Sequence, residues 1–112
     1  MTGNDNRADV ARGVIVLRCL ADFLAARRGL PDVIGVQINW SHADRVWGVL
    51  AQLAVDAGLS EVERWALALD DAVVTSQEVD GPRGPYTSYD AAGTVHGHPV
   101  TVWTHVRHKE AR

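Results

Sequence analysis

Tyr86-Thr87-Ser88-Tyr89-Asp90-Ala91-Ala92-Gly93-Thr94-Val95-His96-Gly97-His98-Pro99-Val100-Thr101-Val102-Trp103-Thr104-His105-Val106-Arg107 holds two extended runs on either side of a short turn signal. Alternation of β-branched and polar residues on both sides of His96-Gly97-His98-Pro99 is the pattern of a β-hairpin. A two-residue turn at Gly97-His98 pairs Val95 with Val100. A four-residue loop over His96 to Pro99 gives the same pairing. Pro99 disfavours turn conformations at His98, which favours the longer loop. In that register Val95, Val100, Val102 and Val106 share a face and form the core side. Thr94, Thr101, Trp103, His105 and Arg107 share the other, with Asp90 directly opposite His105.

Upstream, Val33 to Trp40 alternates cleanly: Ile34, Val36, Ile38 and Trp40 lie on one face, and a strand is expected. Before it, Val10, Val14, Leu17, Ala21 and Leu24 recur at helical spacing within residues 7–28. Gly29 and Pro31 then stop that helix. Its apolar stripe is widened by Ile15, Val16, Cys19, Leu20 and Phe23, more than one buried face requires. Residues 1–6 are polar and are expected to fray.

Ser41 and Asp44 give a Ser-x-x-Asp start, and Val46, Leu50, Leu53 and Ala57 follow at helical spacing before Gly58. A second helix is expected there. Residues 60–72 fit two templates. Ser60 and Glu63 match a capping box, yet Trp65, Leu67 and Leu69 alternate as a strand does. Asp70-Asp71 would oppose the dipole at a helix C-terminus, so the strand is preferred. Val73 and Val74 begin another extended piece. Residues 77–86, with two prolines and two glycines, are expected to form a flexible loop.

The order helix, strand, helix, strand, hairpin defines an α+β two-layer sandwich. Two helices cover one face of a mostly antiparallel sheet of four to five strands. The chain has 112 residues, 46% hydrophobic, enough for one domain with its own core. Eleven basic against fourteen acidic side chains argue against a nucleic-acid partner. A lone cysteine, Cys19, the lack of a secretory pattern at the start and the lack of a long apolar run make a cytoplasmic protein without membrane contact the expectation.

Four histidines, His96, His98, His105 and His108, fall within thirteen residues. Their spacing sends them to different faces and ends of the hairpin, so no metal site and no cofactor is expected. Trp103 is the oddest placement, an indole on the polar face. It calls for cover by a second subunit, a ligand or the 77–86 loop, from which Arg83, Tyr86 and Tyr89 can reach. The interface or ligand-contact candidates are therefore Trp103, His105, Thr101, Asp90, Arg83 and Tyr86. They point to a small non-enzymatic interaction or regulatory module, self-associating or binding a protein partner through the open sheet face. The alternative is a small-molecule-binding or hydrolase-like enzyme in which Asp90 orients His105 beneath the 77–86 loop.

Overall fold

A computed structural model describes residues 10–108; the polar start at residues 1–6 and the last four residues lie outside it. The elements are α1 (Val10–Ala26), β1 (Val33–Ser41), β2 (Val46–Leu53), α2 (Leu59–Ala68), β3 (Asp70–Gly81), β4 (Gly84–Val95) and β5 (His98–Arg107). They form a five-stranded sheet in the order β1-β2-β5-β4-β3. All neighbours are antiparallel except β2 and β5. Both helices pack on one face of the sheet, so the α+β two-layer architecture holds. No described helix is long and apolar enough to cross a membrane.

The core lies between helices and sheet. Val16, Leu20 and Phe23 of α1 and Val62 and Trp65 of α2 meet Val49, Ala51 and Leu53 of β2, Ala91 and Val95 of β4, and Val100 and Val102 of β5. Ala51, Val102 and Ala91 form one row across the three central strands. Phe23 and Trp65 join the helices, ring centroids 6.1 Å apart. The Trp65 indole N–H donates to the Pro31 carbonyl at 3.0 Å, and Arg64 donates to the Gly29 carbonyl. α2 thereby fixes the connection from α1 to β1. The wide stripe of α1 is not fully covered: Val10, Val14, Ile15 and Leu17 remain exposed.

Three local expectations are corrected. Residues 46–53 form a strand, where helical spacing predicts a helix. β2 carries apolar residues on both faces, Val49 towards the helices and Leu50 on the open side, so it shows no clear period of two. Ser41 and Asp44 do bond, the Asp44 N–H donating to the Ser41 hydroxyl at 3.2 Å. The pair closes the turn between β1 and β2, with Arg45 left-handed at φ 54°, instead of starting a helix.

Residues 59–68 are helical, where alternation predicts a strand. Gly58 is the N-cap, and its N–H donates to the Glu61 carboxylate at 2.7 Å. The chain leaves the helix at Leu69, already extended, so Asp70 and Asp71 begin β3 and form no part of the helix's last turn.

Residues 77–86 are not a loop. Ten ladder pairs run from Asp70↔Thr94 to Gly81↔Gly84, and only Pro82 and Arg83 lie between the strands. Proline suits the first turn position, and Gly84 takes φ 112°. Turn composition marks where the hairpin reverses, and the polar strand ends beside it share that composition, which extends the apparent loop into both strands.

Candidate functional site

The face away from the helices is uncovered by any described element, and β5 runs through its middle. The β4–β5 turn sets what that face displays. It is a two-residue turn, His96-Gly97, with φ of 49° and 80°. Positive φ at both positions is the type I′ geometry that matches strand twist. Val95 therefore pairs with His98, not Val100, a shift of two positions. A shift of two preserves the faces, so the valines stay on the core side and Thr101, Trp103, His105 and Arg107 on the open one. The cross-strand partners change: Asp90 stands opposite Trp103, and Ser88 opposite His105.

One row crosses all five strands: Gly35, Gln52, Trp103, Asp90 and Thr75. Trp103 is its central member. Gly35 and Gln52 leave room beside the indole, and with Val36, Gln37 and Leu50 they bound a depression of about 290 Å³. A second depression of about 270 Å³, reaching Thr101 from Asn39, Ser41 and Leu50, extends the face towards the β1–β2 turn. On the other side of Trp103, Asp90 accepts a hydrogen bond from the Thr75 hydroxyl at 2.7 Å.

Trp103, His105 and Tyr86 form a continuous row of rings. His105 lies 4.6 Å from Trp103, its neighbour two residues along β5, and 4.5 Å from Tyr86. Tyr86 is the diagonal neighbour of His105, at a spacing across which aromatic side chains meet. Beyond Tyr86, Arg107 donates to the Arg83 carbonyl at 3.1 Å, tying the end of β5 to the β3–β4 turn. A cavity of about 450 Å³ opens there, with Tyr86, His105 and Arg107 on one wall and Val55 to Gly58 on the other.

Of the six candidates, the structure brings Trp103, His105 and Tyr86 together. Thr101 and Asp90 lie on the same face on either side of the indole. Arg83 takes part through its backbone carbonyl. Asp90 and His105 are diagonal neighbours, with Asp90 bonded to Thr75 and the imidazole between two aromatic rings, so the expected direct Asp90–His105 pairing is corrected.

The four clustered histidines disperse. His96 is in the turn. His98 lines a cavity of about 260 Å³ with Trp40 and Trp47, on the helix side. His108 contacts the Thr87 hydroxyl at 2.7 Å and Glu78 at 3.2 Å, also on the core side of the β3–β4 hairpin. Among the described residues, no group of three or more His, Cys, Asp or Glu side chains could hold a metal ion.

The structure adds Gln37, Leu50 and Gln52 to the face. Leu50 and Gln52 are hidden in the sequence because residues 46–53 read as a helix, and Gln37, on the expected strand β1, joins the face only through its pairing with Leu50. The turn residues between Trp40 and Val46 were the available signal. Comparison with protein-family models, with curated proteins and with solved structures finds no match to this chain in any of the three.

Proposed function

We propose that the protein is a small non-enzymatic interaction module that associates, with a protein partner or a second copy, through its open sheet face. One observation carries this reading: Trp103 sits at the centre of a five-stranded face that no described helix covers, in a row of ring contacts with His105 and Tyr86. Protein interfaces concentrate binding energy in central aromatic residues ringed by polar ones. Here the ring is Gln37, Gln52, Thr101, Ser88 and the Asp90–Thr75 pair. Such a surface is largely neutral, so desolvating it carries a smaller penalty than desolvating a charged one.

The discriminating experiment compares Trp103→Ala and Thr101→Arg with the parent chain, in sedimentation of the purified protein and in co-purification from its own cells. Both variants should keep the parent's circular dichroism spectrum while the association is lost or weakened at least about tenfold, the equivalent of one hot-spot residue. Association that survives both variants unchanged excludes the open face as the binding surface.

A further inference from the structure

We propose that strand β1 pairs edge to edge with β1 of a second copy, joining two five-stranded sheets into one of ten. Among the described residues the sheet ends in two edge strands, β1 and β3, and they are built differently. β3 carries Asp70, Asp71, Glu78 and Asp80 in twelve residues, with Asp71 left-handed at φ 52° beside a register break. Charges and irregularities of this kind keep an edge strand from recruiting another strand. β1, Val33–Ser41, has no ionisable side chain and no proline. Its one irregularity lies between Val33 and Gly35, which leaves Gly35–Ser41 in regular ladder geometry. In an edge strand, every second residue turns its N–H and C=O outward, ready for a partner strand.

Charge identifies the occupant as a second copy. Two antiparallel β1 strands bring no like charges together, whereas two β3 strands would set carboxylates against carboxylates. Antiparallel pairing about a two-fold axis is also self-complementary, each residue meeting the same surface it offers. With the axis near Gln37, Val36 of each chain meets Ile38 of the other and Gln37 meets its own mate.

Both apolar residues lie on the helix-bearing side, where they pair with the buried Ala51 and Val49. α1 packs over β2 and leaves Val36 44% exposed. Ile34 is 55% exposed on the same strand. A second copy supplies the cover that α1 does not. The open faces of the two chains would then run on as one surface, with a Trp103 row in each half. The edge is distinct from that face, and the two assignments can fail separately.

The test is sedimentation velocity on the purified chain at micromolar concentration, with Val36→Lys, Ile34→Lys and, on the opposite edge, Val73→Lys. Circular dichroism confirms that each variant folds. The parent should sediment as a dimer. Val36→Lys and Ile34→Lys should weaken dimerisation by about tenfold or more, because each places a charge in the seam. Val73→Lys should change nothing. A monomeric parent overturns the proposal, including one whose β1 amides resist hydrogen exchange because another part of the chain covers the edge. A dimer that ignores both β1 variants and dissociates with Trp103→Ala also overturns it, while supporting self-association through the open face.

Discussion

His105 packs against Tyr86 with ring centroids 4.5 Å apart, and the two residues sit on different strands, one step off direct opposition. Their contact binds the end of β5 to the start of β4 and extends the Trp103 stack to the edge of the 450 Å³ cavity. A double-mutant cycle of Tyr86→Ala and His105→Ala, followed by urea denaturation, should give a favourable coupling near the lower end of the roughly 0.5–1.5 kcal/mol typical of aromatic pairs. The exposure of His105 sets the lower end. Strict additivity would mean that the rings lie side by side without supporting one another.

Gly93 has no room for a side chain. A Cβ there would lie 2.8 Å from the Asp70 carbonyl oxygen and 2.9 Å from the Leu69 Cβ, where α2 passes into β3. Gly93→Ala should destabilise the fold by about 1–3 kcal/mol, the usual range for overpacking, although alanine has the better strand propensity. Thermal melts of the two chains measure this. An unchanged or raised melting temperature would show that the start of β3 yields easily.

The Glu61 carboxyl is held below the ordinary carboxylate range. The Gly58 N–H is the largest cause, followed by a hydrogen bond with the Ser60 side chain. A folded-state value below the unfolded one means that the ionised carboxylate stabilises the fold above the unfolded value. That contribution fades as pH falls through the folded value. Glu61→Gln should therefore melt at a lower temperature than the parent at neutral pH, and the difference should shrink in acid. A difference independent of pH would assign the effect to hydrogen-bond geometry without charge.

The architecture was legible in the sequence, although two of its assignments were exchanged. The helix expected at 41–58 lies at 59–68, and the strand expected in 60–72 has its counterparts at 46–53 and 70–81. Two helices on one face of an antiparallel-rich sheet survive that exchange. Length and apolar content fix how much surface two layers must hide, whichever segment supplies it. The failure at β2 has a specific cause. Leu50 faces outward and Val49 inward, so an apolar residue on each side erases the alternation that marked β1.

Site residues on β4 and β5 were legible for the opposite reason. Thr101, Trp103 and His105 alternate with Val100, Val102 and the buried Thr104, and that parity survives a two-position error in register. Direct pairing does not survive it, which is why Asp90 faces Trp103. His96-Gly97 carried the missing information. Histidine is an uncommon first residue for a type I′ turn, where asparagine is usual, and Pro99 restricts His98 in a way that favours the longer loop.

The central claim is that the open face around Trp103 is a contact surface. Its most direct test is a photo-crosslinking amino acid at Thr101, two residues from the indole on the same face, in the chain expressed in its own cells. We expect a protein adduct, to a partner or to a second copy, that disappears when Trp103→Ala is added. No adduct from Thr101, or one that persists without the indole, would contradict the account.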